Sequence, residues 1–188
     1  MHNDLLTYQN NPWKVNSSKI TYENPWIKVV ENQVTNPAGN PGIYGIVHFK
    51  NVATGVVALD KELNIYLVGQ YRFPLNEYSW EIPEGGSPIG KENPLETAKR
   101  ELLEEAGLIA TKWTEIGKIH TSNSVCDEVG YIYLAEDLTQ NDAEPEETEE
   151  LQVKKVSLAK AVQMVINQEI TDGISMTGIL IAARLFKI

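Results

Sequence analysis

Apolar and polar positions change period several times along the chain, and each change marks an element. Residues 1–17 carry Asn and Gln clusters without a period and read as irregular. Ser18 to Val34 holds two runs of β-branched and aromatic residues around a turn signal at Glu23-Asn24-Pro25. Asn36 to Gly42 reads as a loop. Ile43 to Phe49, Val52 to Leu59 and Asn64 to Tyr71 read as strands, with a hairpin turn at Asp60-Lys61-Glu62. A short strand at Ser79 to Ile82 precedes Pro83-Glu84-Gly85-Gly86, which reads as a turn. Asn93 then predicts a helix N-cap, with Pro94 at the first helical position, Glu96 in the first turn and Gly107 as the stop. Strands follow at Trp113 to His120 and Glu128 to Ala135. An acidic run, Glu136 to Glu150, leads to a strand at Leu151 to Val156. Ser157 caps a helix over Leu158 to Gln168, and Thr171 to Leu185 is the last helix. Many strands with few helices, and no regular βαβ alternation, predict an α+β fold with a mixed sheet.

Composition narrows the partners. The chain has 188 residues, enough for one domain with an appendage, and 42% are hydrophobic, enough for a packed core. The net charge is −10 with no basic block, which argues against a nucleic-acid partner. An acidic protein that handles phosphates recruits divalent cations, although acidity can also serve solubility alone. The single cysteine, Cys126, fits a reducing compartment. The start, MHNDLLTYQNNPWK, lacks the pattern of a secretory signal. The longest apolar run, Ile179 to Phe186, is short and contains Arg184. A cytoplasmic protein with no membrane partner is expected.

The unusual chemistry lies in the first helix. At 3.6 residues per turn, Leu95, Ala98, Leu102, Leu103 and Ala106 share a broad apolar face, while Glu101, Glu104 and Glu105 fall together on another. Like charges so spaced cost about 0.2–0.5 kcal/mol per pair, which a solvated face balanced by Lys99 and Arg100 could absorb. Two neighbours favour chemistry instead. A double-glycine turn just before the helix can offer backbone carbonyls, and three carboxylates at i, i+3, i+4 supply the hard oxygen donors that Mg²⁺ takes. The string Gly86-x5-Glu92-x7-Arg100-Glu101-Leu102-x-Glu104-Glu105-x-Gly107-Leu108 fills every fixed position of the Nudix box, so the chain resembles a Nudix hydrolase.

That resemblance implies an α/β/α sandwich around a mixed sheet, with a small antiparallel β appendage over residues 1–50 and a catalytic domain over 51–188. It implies hydrolysis of a nucleoside diphosphate linked to another moiety, with two or more Mg²⁺ or Mn²⁺ ions. Glu101 and Glu105 match metal ligands, and Glu104 a further ligand or a group that orients water. The Gly85 carbonyl matches a backbone ligand. The turn is one residue longer than the usual Pro-Ala-Gly, which leaves the Glu84 carbonyl open as an alternative. Gly86 and Gly107 are structural positions of the box, and Glu92 with Arg100 matches a pair bracing loop against helix.

Outside the box, Gly69-Gln70-Tyr71-Arg72-Phe73 followed by Trp80-Glu81-Ile82-Pro83 resembles the ADP-ribose pyrophosphatase branch, which also holds the GDP-mannose hydrolases. The acidic stretch Pro145 to Leu151 resembles the same branch. There Glu147 matches the general base and Glu149 an extra ligand, with Glu146 and Glu150 left open as alternatives by a register shift of a residue or two. Arg72 suits a phosphate clamp because a guanidinium makes paired bonds to phosphate oxygens, and a surface arginine at a strand end is the ordinary alternative. Glu81 belongs to the substrate side by position, Glu128 could reach the sugar or a metal, and Tyr22 and Trp26 could stack on a base. Cys126 reads as a small filler, and His48 and His120 as sheet histidines. The branch further implies a homodimer. The expected activity is Mg²⁺-dependent cleavage of ADP-ribose or a related ADP-sugar to a nucleoside monophosphate and a sugar phosphate, with GDP-mannose as second choice. A non-catalytic nucleotide-sugar sensor is the alternative of another class.

Overall fold

The computed structural model describes residues 11–141 and 151–188. The chain divides into two compact units, one formed by the chain up to Lys50 together with Ser122–Asp127, the other by Asn51–Thr121 and Glu128–Ile188.

The smaller unit is an antiparallel sheet of β1 (Lys14–Glu23), β2 (Ile27–Thr35) and β3 (Pro41–Phe49) in that order. β1 begins inside the stretch expected to be irregular, because Lys14 to Glu23 pairs along its length with β2 and borrows its register. Each turn is closed by an asparagine. Asn24 Oδ1 accepts from the Trp26 and Ile27 amides at 2.9 and 2.8 Å, and Asn36 Oδ1 accepts from Ala38 and Asn40 at 3.0 and 2.9 Å. The 122–127 loop is bonded to β3. The Tyr44 hydroxyl donates to Ser124 O at 2.7 Å, the Val47 amide to Val125 O at 2.9 Å and the Phe49 amide to Asp127 Oδ1 at 3.0 Å. His48 Nδ1 lies 2.6 Å from Asp127 Oδ2. Burial works against the Asp127 charge, but the bonds from His48 and the Phe49 amide outweigh it and hold the carboxyl below its ordinary range.

In the larger unit, β4 (Asn51–Ala58), β7 (Glu84–Pro88), β8 (Leu108–His120) and β9 (Val129–Gln140) form one sheet in the order β7-β4-β9-β8. β4 and β9 run parallel and the other pairs antiparallel. A second antiparallel sheet has the order β10-β5-β6, from β5 (Asn64–Arg72), β6 (Glu77–Glu81) and β10 (Gln152–Ser157). Alternation along β4 sends its side chains to two cores. Val56 and Ala58 join Ala98, Leu102 and Ala106 of α1 (Pro94–Ala106). Val57 joins Ile132 with residues of α2 (Leu158–Ile166) and α3 (Gly173–Phe186). Helices thus cover both faces, an α/β/α arrangement of the α+β class with a mixed sheet.

Two sequence expectations change here. Glu84-Gly85-Gly86-Ser87-Pro88 is a strand rather than a turn. It pairs with β4 from Glu84↔Gly55 to Pro88↔Asn51 at a sheet edge, where a proline costs no ladder hydrogen bond on its open side. The start of the acidic run is also strand, because Glu136 stands opposite Lys112 and their side chains pair at 2.6 Å. Among the described residues no helix is long and apolar enough to cross a membrane.

Candidate active site

The α1 helix starts where its sequence says it should, with the Asn93 side chain accepting from the Leu95 amide at 2.9 Å and Pro94 following. It stops at Gly107, whose left-handed φ of 62° suits glycine and lets its amide bond Leu103 O at 2.9 Å. The position of its carboxylates differs from a simple exposed acidic face. Glu101 and Glu105, one turn apart, are only 9% and 2% exposed, beside buried Thr97, Ala98 and Leu102. Glu104 points further out.

Buried carboxylates need partners, and β7 passes close enough to provide them. The Glu84 amide donates to Glu105 Oε2 at 2.9 Å. At the next residue a Cβ would lie 2.0 Å from Glu101 Oε1, so only glycine allows this carboxylate against the strand at Gly85. The Gly85 carbonyl accepts from Thr54 Oγ1 at 3.3 Å. Gly86 is less constrained, since a Cβ there would meet only the end of the Asn51 side chain, Nδ2 at 2.9 Å.

The expected Glu92–Arg100 brace is replaced. Glu92 Oε2 accepts from Thr97 Oγ1 at 2.7 Å and the Glu92 carbonyl from Ser87 Oγ at 3.3 Å, which ties loop to helix with hydroxyls. Arg100 turns along its own helix instead, to Glu101 Oε1 at 2.7 Å and Glu104 Oε2 at 2.5 Å. An arginine can reach i+4 on its own face without leaving the helix surface, whereas Glu92 lies before the N-cap.

A second guanidinium sits at the end of β5. Arg72 Nε bonds both oxygens of Glu81 at 2.9 and 3.0 Å, Nη2 also bonds Glu81, and Nη2 reaches Glu84 Oε1 at 2.6 Å. Burial opposes the Arg72 charge, but the bond to Glu81 and the charges of Glu84, Glu81 and Glu105 outweigh it and raise its pKa above the ordinary value. Glu84 is driven the other way. Burial and the charges of Asp172 and Glu81 push its carboxyl well above the usual range, against the pull of Arg72, with Glu105 adding to the rise. Asp172 caps α3 by accepting from the Ser175 amide at 2.7 Å, and Ser175 Oγ accepts from the Ile82 amide at 3.0 Å. That bond pins the backbone between Glu81 and Glu84.

Two family profiles match this chain: the NUDIX domain over residues 49–172, and the nucleoside diphosphate sugar hydrolase N-terminal domain over 13–47. The chain belongs to the Nudix family. Among Nudix relatives, it is 38% identical over 123 residues to the ADP-ribose pyrophosphatase of Bacillus subtilis (strain 168). That match takes 64% of this chain and 66% of the relative. It is 33% identical over 168 residues to the ADP-ribose pyrophosphatase of Mycobacterium tuberculosis (strain ATCC 25618 / H37Rv), across 87% of this chain and 80% of that one. A crystal structure of an ADP compounds hydrolase shares the fold, with a TM-score of 0.83, 19% identity, and 93% and 94% of the two chains covered.

The Nudix box therefore brings Glu101, Glu105 and, through Arg100, Glu104 up to Gly85, the residue just before it; beside them stand Arg72, Glu81 and Glu84. Glu128 is elsewhere engaged, accepting from Thr121 Oγ1 at 2.6 Å. Tyr22 and Trp26 belong to the smaller unit, where both are exposed. Glu147 and Glu149, the expected base and extra ligand, lie outside the described residues, as do Glu146 and Glu150. Glu84 and Asp172 were missed as acidic members of the site. The lengthened turn is the sequence signal for Glu84, whose carbonyl alone it brings forward; Asp172 falls in sequence within a helix expected from Thr171, and its place as the cap of α3 emerges only in the fold.

The donor set suits a hard divalent cation: carboxylates and a backbone carbonyl, with Glu84 Oε2 buried and lacking a hydrogen-bond partner. Guanidinium groups hold several of these carboxylates. Among the described residues no three acidic, His or Cys side chains converge on one point.

Proposed function

We propose that the protein hydrolyses the diphosphate bond of a nucleoside diphosphate sugar, ADP-ribose or a related ADP-sugar first, giving a nucleoside monophosphate and a sugar phosphate. The observation that carries this reading is the pairing of β7 with α1. A glycine-permitted approach seats Glu101 against Gly85 and bonds Glu105 to the Glu84 amide, a few residues from an arginine able to hold phosphate. Glu101, Glu104, Glu105 and the Gly85 carbonyl would hold Mg²⁺ or Mn²⁺, in two or more ions. Such ions neutralise phosphate oxygens and lower the pKa of a water. Arg72 would orient the diphosphate, Glu81 keeping the guanidinium plane fixed. Glu147 would take the proton of the attacking water and Glu149 would add a ligand. Glu128, Tyr22 and Trp26 would serve sugar and base.

For the smaller unit we propose dimerisation through its sheet. Val15 and Ile20, on the sheet face that Val30 and Val34 share, and Tyr22 and Ile43, on the opposite face, are each more than half exposed there, as is Trp26 in the turn before β2. The single cysteine supports a reducing, cytoplasmic setting.

The test is phosphate release, with a phosphatase as the coupling enzyme, from ADP-ribose, GDP-mannose, UDP-glucose and diadenosine polyphosphates in Mg²⁺. ADP-ribose is expected to turn over fastest. A GDP-mannose preference would correct the base and sugar. Nucleotide-sugar binding without product from any of the four would favour the sensor.

A further inference from the structure

Glu84 touches two parts of the site at once. Its amide bonds Glu105 Oε2 at 2.9 Å, while its carboxylate bonds Arg72 Nη2 through Oε1 at 2.6 Å. The other oxygen, Oε2, is buried with no hydrogen-bond partner. Burying a carboxylate with half its acceptor capacity unused is costly, and proteins keep such a group where something else uses it.

The charge around it points to what that is. Asp172, Glu81 and Glu105 each act on Glu84 electrostatically, and the guanidinium that pairs with Glu81 and Glu84 is Arg72. Acidic groups around Glu84 thus outnumber the one guanidinium that pairs with it, a balance that favours an added cation where burial strengthens electrostatic interactions. Glu81 holds Arg72 more firmly, through Nε and Nη2 together, whereas Glu84 holds Nη2 alone. Glu84 is therefore the partner that can leave without setting Arg72 adrift. A hard cation taken by Oε2 would draw negative charge away from Oε1 and so weaken its bond to Nη2.

We propose that Glu84 is a positioning residue that makes Arg72 available to the diphosphate only after a divalent cation has bound. With no cation it retains Nη2. With one, Oε2 takes the ion and Nη2 is released toward phosphate, while Glu81 keeps the guanidinium in plane. The consequence is an order of binding, cation before nucleotide. The proposal rests on the function proposed above and adds to it a residue outside the box.

Calorimetric titration of the full chain with the non-hydrolysable α,β-methylene analogue of ADP-ribose, in EDTA and in Mg²⁺, tests it without relying on turnover. For the unaltered protein, Mg²⁺ should tighten the analogue by about 10- to 100-fold, the range of ordinary coupling between sites. In E84Q the neutral amide holds Nη2 less, so the analogue should bind several-fold tighter in EDTA and the Mg²⁺ effect should shrink to about twofold. A merely structural role would weaken binding in both conditions. E84D, whose shorter side chain also loosens Nη2, should move in the same direction and serves if E84Q melts at the assay temperature. An unchanged Mg²⁺ effect in either folded variant, or weaker binding in EDTA, overturns the proposal. An analogue that binds neither the unaltered protein nor the variants overturns the functional reading itself, and the inference with it.

Discussion

All ten residues of β1 are exposed, whereas in β4 the five consecutive residues Thr54–Ala58 are buried. The first strand owes its order to pairing with β2 along one edge. The second lies between two strands and between helices on both faces. The difference separates two uses of β structure within one chain. In the larger unit, burial fixes side chains to fractions of an ångström, which a carboxylate site needs. In the smaller unit, a ladder leaves large apolar side chains uncovered on each of its faces, Val15 and Ile20 on one and Tyr22 and Ile43 on the other.

The sharpest test of this contrast is a buried residue whose value is chemical. Glu105→Gln preserves shape and should lower kcat by a factor on the order of 10² to 10³, with melting temperature nearly unchanged, as steady-state kinetics and a thermal melt would report. Equal activity would remove Glu105 from the site. Leu102→Ala, in the core beneath the same helix, should cost about 2–5 kcal/mol by urea denaturation. At Gly85→Ala the added methyl meets the Glu101 carboxylate, and we expect about 1–3 kcal/mol of lost stability together with weakened Mg²⁺ binding.

Asp60 offers a smaller, pH-dependent effect. Burial opposes its charge, but bonds from Lys155 and Asn64 win and bring its pKa from 3.8 to about 2. A carboxyl depressed on folding contributes stability that is complete above its unfolded value and lost as pH falls through the folded one. Asp60→Asn should therefore abolish part of the acid-side decline between pH 3.8 and about 2, measured as denaturation midpoint against pH. The smallest change is expected for Ile20→Ser on β1. It should alter stability by no more than about 0.5 kcal/mol yet shift the sedimentation coefficient toward the monomer. If it unfolds the protein instead, the contrast between the two strands fails.

The start and stop of α1 were legible because Asn93, Pro94 and Gly107 act locally, through hydrogen bonds and backbone angles within a turn. The box was legible because its spacing is long and fixed. What could not be read was the relation between α1 and β7. Glu-Gly-Gly-Ser-Pro has the composition of a turn and becomes a strand only because β4 offers an edge. Helical periodicity sorts Glu101 and Glu105 with the polar face, and only the Glu84 amide and the bare backbone of Gly85 explain their burial. Nothing in the spacing of Glu92 and Arg100 reveals that Thr97 is nearer to the one and Glu101 and Glu104 to the other.

The 122–127 loop bears on how the chain can be divided. It lies in sequence between β8 and β9 of the larger unit, yet its hydrogen bonds run to Tyr44, Val47, His48 and Phe49 of β3. The backbone thus passes between the units after Lys50, after Thr121 and after Asp127. An expression clone that begins at Asn51 would cut only the first of these passages. It would leave the loop with the Val125 carbonyl and the Asp127 carboxylate stripped of their donors. A clean excision must shorten the β8–β9 connection as well, so the gene segment that encodes the larger unit is interrupted rather than continuous.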